Sequence, residues 1–205
     1  MVKAIKRFLG DFKRTIKLYE DVPSIARRMF VTNSFDGILA AIGVNVGGFS
    51  GDANPFVLAS SIIGGGVSMG VISGVIGVYL SERAERVKEV IELEKKVSAR
   101  LRDSIYWRAA LLVPIYVALW SGVGIVLFPT LIAAPYLLAY KGLVGMNAAY
   151  ISSLAIALGS LAWLGSYLGK VSGESVVKST IRAVLLGLMG IGLVYLVKSF
   201  LGGFL

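Results

Sequence analysis

The chain contains no cysteine and no histidine. These absences exclude disulfides, thiolate and imidazole metal ligands, and catalysis by a cysteine or histidine side chain. Any metal chemistry is left with oxygen donors, helped at most by a methionine thioether. Charge is scarce as well, at 16% of residues against about 25% in a typical soluble domain. No phosphate-binding Walker loop, nucleophile elbow, HExxH or CxxC occurs in the sequence. Nothing therefore points to an NTPase or hydrolase, and the expectation is a protein that is not an enzyme and holds no cofactor. Roughly thirty charged, helix-compatible residues precede the first apolar run, too many for the short basic n-region of a cleaved secretory signal.

What the sequence has in abundance is apolar surface. Of its 205 residues, 56% are hydrophobic, and the mean hydropathy is +0.78. That balance suits a bundle solvated by lipid, and the fold class expected is an all-α integral membrane protein. The formal charge of +9 is then read as the mark of a membrane's cytoplasmic side, with no nucleic acid as partner.

Five spans emerge along the chain. Residues 1–29 alternate basic positions with Ile5, Phe8, Leu9, Phe12, Ile16 and Tyr19, an amphipathic pattern expected at the cytoplasmic membrane surface. Pro23 interrupts that pattern, and Ser24 can cap a restart. The first span is expected over 30–49 and is unusually polar, with Asn33, Ser34, Asp36 and Asn45. Gly51-Asp52-Ala53-Asn54-Pro55 is a turn signal before a second span over 56–80. In that span Ser60, Gly64 and Ser68, and separately Gly66, Gly70 and Gly74, recur at every fourth position, a spacing that lets helix backbones approach closely. With no breaker after Leu80, the helix is expected to continue into the cytoplasm as a polar segment over 81–105. Val90, Leu93, Val97 and Leu101 form one apolar stripe of that segment. A third span over 106–128 contains Pro114, where a kink is expected. Pro129, Pro135 and Gly142 suggest a re-entrant or interfacial connection over 129–146. The fourth and fifth spans follow over 147–167 and 181–197, so that 106–205 holds the third to fifth helices.

Charge placement gives the orientation. With the N-terminus inside, the N-terminal segment carries eight Lys and Arg, residues 81–108 eight and the 168–182 loop three, leaving only Lys141 and Lys198 outside. This asymmetry requires an odd number of spans, an N-terminus in the cytoplasm and a C-terminus outside.

Asp36 is the one acid of twelve that falls within an apolar run. A carboxylate there costs about 2.5–3.5 kcal/mol on insertion scales, so such a residue normally faces a cavity or a partner. It lies about 9 Å from the cytoplasmic end of its span at the usual helical rise. It is either an ion site or an interfacial residue capping a helix start beside Gly37. Glu82, Glu85, Glu89 and Glu92 share one side of the cytoplasmic helix, within an arc of about 80°. Carboxylates on one face suit a hard divalent cation. Interleaved Arg83, Arg86, Lys88, Lys95 and Lys96 suit a solvated, ion-paired helix equally well. Met69, in mid-span, is either packing or a soft ligand.

Several segments resemble the vacuolar iron transporter family of Fe²⁺ and Mn²⁺ carriers. Ser34-Phe35-Asp36-Gly37 is similar to the S-D-G that opens that family's first span. Gly77-Val78-Tyr79-Leu80-Ser81-Glu82-Arg83 resembles its S-M-x-x-G-E-Y-x-S run, and Gly169-Lys170-Val171-Ser172-Gly173 with the glycine-rich final helix resembles its last loop and span. The resemblance covers roughly residue 33 to the C-terminus. It implies a homodimer with the ion path between the first and second spans of both subunits. It also implies export of Fe²⁺ and Mn²⁺ from the cytosol in exchange for protons, in a prokaryotic cell membrane. Asp36 matches the family's membrane aspartate, and Glu82, Glu85, Glu89 and Glu92 correspond to its cytoplasmic metal-collecting region, which is shortened here. Val78 stands where the family has a glutamate, and in that register Gly74, not Met69, stands where the family has a pathway methionine. The alternatives are a transporter or channel for another cation, and a non-transporting membrane scaffold.

Overall fold

The computed structural model describes residues 21–102 and 104–202, and among these there is helix and no strand. The surface segment expected over 1–29 lies outside the described residues up to residue 20. Five helices follow: α1 Val22–Ser50, α2 Pro55–Val97, α3 Ile105–Tyr140, α4 Met146–Ser172 and α5 Val176–Gly202. All five are long and apolar enough to cross a membrane.

Local chemistry sets their ends. Pro23 occupies the first turn of α1, where a missing N–H costs nothing, and Ser24 Oγ donates to the Asp21 carbonyl at 2.6 Å. The helix therefore starts at Val22 and continues without a break through the first apolar run. At its far end Lys198 Nζ donates to the Ser50 carbonyl at 2.8 Å, satisfying one of the acceptors a helix C-terminus leaves open. Asp52 takes a left-handed conformation (φ 55°) in the following turn. Asn54 Oδ1 then accepts the Val57 N–H at 2.9 Å, and Pro55 opens α2. Midway, Gly70–Gly77 winds as π-helix before the α-form resumes at Val78.

One expectation is corrected. Residues 129–146 are not a re-entrant connection: α3 runs through Pro114, Pro129 and Pro135 to Tyr140. The turn comes only after that, with Gly142 at φ 73°. Prolines end helices in water far more readily than in a bundle, where neighbouring helices and side chains compensate the freed backbone groups.

The described residues form two compact units, one of 21–32 with 70–123, the other of 33–69 with 124–202. In the first, Val22, Ala26, Ala109, Val113 and Val117 make a buried cluster flanked by Met29, Val78 and Tyr116. Phe30 and Trp120 meet edge to face, with ring centroids 6.0 Å apart.

In the second unit, glycines bring the helices together. A Cβ on Gly37 would sit 2.9 Å from the Ile125 carbonyl, and one on Gly66 would sit 2.9 Å from Pro129 Cβ. Both α1 and α2 thus close on the Ile125–Pro129 turn of α3. Gly165 and Gly169 let α5 approach α4 in the same way, with the Ser179 carbonyl 2.7 Å from where a Gly165 Cβ would lie. A buried polar chain joins three helices: Tyr136 Oη donates to Asn45 Oδ1 (2.6 Å), Asn45 Nδ2 to Ser153 Oγ (2.7 Å), and Ser153 Oγ to the Ile132 carbonyl (2.7 Å).

The packing separates the two small-residue stripes of α2. Gly66, Gly70 and Gly74 are buried, whereas Ser60, Gly64 and Ser68 are exposed. Gly66→Ala is expected to lower stability by about 1–3 kcal/mol through overpacking. Gly64→Ala, where a Cβ meets nothing within 4 Å, is expected to leave it unchanged. Thermal melts of both variants in detergent check the contrast. Asn45→Leu is expected to cost about 1–2 kcal/mol in the same assay, because it strands the Tyr136 hydroxyl.

Candidate functional site

Asp36 sits in the interior of α1, fourteen residues beyond the helix start at Val22. It therefore caps nothing, which removes the interfacial-cap alternative. Its side chain is exposed, and it forms no hydrogen bond or ion pair among the described residues. The cause is its neighbour. Gly37 faces α3 so closely that it fixes the rotation of α1, and residues on a helix are displaced by about 100° from one position to the next. With Gly37 turned inward, Asp36 is carried to the outer surface of its unit. A carboxylate on an apolar helix surface requires a partner subunit or a water path.

Met69 is exposed and is the last residue of α2 before the π-helical stretch. Gly74, which the family register puts in the methionine's place, is buried and offers no donor. π-Helical turns are rare and recur at functional sites.

The glutamate face is organised around a residue of opposite charge. Arg86 is buried, and its guanidinium meets three carboxylates at once: Asp21 Oδ2 at 2.7 Å, Glu82 Oε1 at 3.0 Å and Glu89 Oε2 at 3.1 Å. Glu82 is largely covered, its side chain 14% exposed, while Glu89 is 57% exposed. Burial pulls the Arg86 pKa down, but the hydrogen bond to Asp21 and the charges of Glu89, Asp21 and Glu82 outweigh it, and the net shift is upward. The guanidinium stays charged at any physiological pH.

Glu85 and Lys88, both well exposed, approach only to 3.9 Å. Glu92 is exposed and has no ion pair among the described residues. Of the four glutamates, then, two hold Arg86 and two face solvent. No group of three or more Asp or Glu stands close enough to hold a metal ion among the described residues. Asp36 and Met69 belong to one compact unit, and the four glutamates to the other.

Two features escaped the sequence. The helical spacing of Arg86 from Glu82 (four residues) and from Glu89 (three) was a readable signal. Its bond to Asp21, 65 residues away, was not. The Asn45–Tyr136–Ser153 chain likewise spans residues too distant in sequence to pair by pattern.

Arg86→Gln is expected to cost about 1–3 kcal/mol, with Glu82 left uncompensated in its half-buried position. Lys88→Gln breaks only an exposed contact and is expected to cost under about 0.5 kcal/mol. Denaturation of the purified variants in detergent measures both.

No family model and no solved structure matches the chain. A curated relative does match: MJ0645, an uncharacterized protein of Methanocaldococcus jannaschii, is 30% identical over 160 residues, covering 77% of this chain and 80% of the relative. At that identity and coverage, the chain belongs to the same protein family as this Methanocaldococcus jannaschii protein.

Proposed function

We propose that the protein is a homodimeric transporter that moves divalent metal, Fe²⁺ and also Mn²⁺, out of the cytosol in exchange for protons. One observation carries this reading: Asp36 is a carboxylate without an ion pair among the described residues, on the exposed face of an apolar helix. Leaving it against lipid costs energy that a second subunit or a water-lined ion path removes. A second copy offers the cover most economically, because it brings an identical hard oxygen ligand. The exposed small residues Ser60, Gly64 and Ser68 of α2 suit close contact between helices of two subunits.

The chemistry follows from like charges. Two Asp36 side chains brought together resist holding two negative charges, so one carries a proton until a divalent cation replaces it. Metal binding thus releases a proton, which is the physical basis for exchange. Oxygen ligands suit Fe²⁺ and Mn²⁺, and with no histidine or cysteine the chain offers no strong soft-metal site. Met69, exposed beside the π-helical stretch, offers a thioether. At the cytoplasmic mouth, Glu85 and Glu92 raise the local cation concentration by electrostatic attraction. Glu82 and Glu89 contribute less, since Arg86 already holds them. The membrane proposed is a prokaryotic cell membrane, with the N-terminus inside as the Lys and Arg asymmetry requires.

The ion-paired state of Arg86 favours one other reading, a scaffold whose polar α2 segment is structural and carries no cargo. Metal flux into proteoliposomes separates the two. Asp36→Asn is expected to lose at least tenfold in Mn²⁺ flux, together with the coupled change in internal pH, while keeping its melting temperature. Full flux in that variant overturns the transport reading, and a loss of stability alone supports the scaffold.

A further inference from the structure

The polar end of α2 and the start of α3 enclose a cavity of about 320 Å³, all of whose described lining belongs to the first compact unit. That volume falls at the small end of ligand sites. Val90, Leu93 and Ala110 form an apolar base, and Val90 and Ala110 are almost wholly buried. Around the base stand two charges of each sign, Arg86 and Lys96 against Glu89 and Glu92. One opposed pair is already satisfied, since Arg86 Nη1 donates to Glu89 Oε2 at 3.1 Å.

Three polar groups are left over. The Glu92 carboxylate, the Lys96 ammonium and the Tyr106 hydroxyl line the cavity without a hydrogen bond or ion pair among the described residues. Glu92 precedes Lys96 by four positions, the spacing and order that favour an ion pair on a helix, with Cβ atoms about 5–6 Å apart. The two do not pair here. The cavity therefore offers one acceptor for a cation and, a helical turn away, two donors for an anion. Over an apolar base, that set matches a zwitterion with an apolar body.

The surroundings narrow the choice. α3 begins at Ile105 and is apolar from its first turn. Ile105 and Tyr106 are exposed, and the Arg102 guanidinium lies 5.8 Å from the centre of the Trp107 ring. Neighbouring Tyr and Trp at the end of an apolar helix mark the headgroup level of a bilayer. A choline headgroup has a quaternary nitrogen with no N–H for Glu92, whereas an ethanolamine headgroup has a primary ammonium with three. A glycerol headgroup satisfies Lys96 but brings net negative charge beside Glu92.

We propose that this cavity binds the headgroup of an ethanolamine phospholipid. Its ammonium donates to Glu92, its phosphate accepts from Lys96 and Tyr106, and its glycerol and first methylenes rest on Val90, Leu93 and Ala110. Asp36 takes no part, so the site stands whether or not the protein carries metal. The same polar chemistry occurs in a free water-soluble headgroup, which the experiment separates from the lipid.

Full-length protein, delipidated in detergent, is titrated with phosphatidylethanolamine, phosphatidylcholine and phosphatidylglycerol of identical acyl chains, and with glycerophosphoethanolamine. Bound molecules are counted by native mass spectrometry. The ethanolamine lipid is expected to bind at least fivefold more tightly than either other lipid, and at least a hundredfold more tightly than the free headgroup. Glu92→Gln is expected to abolish the preference over both other lipids. Lys96→Gln is expected to weaken the ethanolamine lipid at least fivefold. Lys95→Gln, exposed but outside the lining, is expected to stay within twofold of the wild type. Both Glu92 and Lys96 are exposed, so the melting temperatures are expected to hold. Equal binding of the three lipids, a preference that survives Glu92→Gln and Lys96→Gln, or equally tight binding of the free headgroup would each overturn the proposal.

Discussion

A carboxylate within an apolar span needs a partner or water, and this fold turns Asp36 away from the rest of its own unit. The rotation of α1 is not free to relieve it. Gly37 is held against the Ile125 carbonyl and Pro129 of α3 at a distance no larger side chain tolerates. Gly66 of α2 closes on the same turn of α3, so the contact that exposes Asp36 also organises three helices. The polar chain through Asn45, Tyr136 and Ser153 fixes α1 further against α3 and α4. Exposure of Asp36 is thus a consequence of packing, and the cost of that exposure points outward to a second subunit or an ion path.

The polar end of the molecule follows the opposite logic. Arg86 lies buried and gathers Asp21, Glu82 and Glu89 around one guanidinium. A buried charge with three carboxylate partners is compensated within the chain and serves to position the start of α1 beside α2. The contrast separates the two acidic regions chemically. Glu82 and Glu89 are engaged in holding the structure, whereas Asp36 has no hydrogen bond or ion pair among the described residues.

Much of the architecture was legible in the sequence. Hydropathy located all five long helices, since a run of apolar residues in lipid has few alternatives to helix. The turn before α2 was legible because Asn54 and Pro55 act through their nearest neighbours. Pro129 and Pro135 misled, because their helix-breaking tendency reflects backbone groups left unpaired in water. Here Pro129 is instead the surface that Gly37 and Gly66 pack against. The π-helical winding at Gly70–Gly77 left no mark in a pattern of glycines and β-branched residues. The Asp21–Arg86 and Asn45–Ser153 bonds join residues 65 and 108 positions apart, and one sequence carries no signal for such pairs. Asp36 itself was conspicuous by composition alone; that it lies in mid-helix and faces outward required the structure.

Anomalous scattering from crystals of the full-length protein soaked in Mn²⁺ tests the central claim most directly. The expected result is a manganese peak between the Asp36 carboxylates of two copies of the chain, abolished in Asp36→Asn. Peaks confined to the polar end of α2, or no peak at Asp36 in well-occupied crystals, would contradict it.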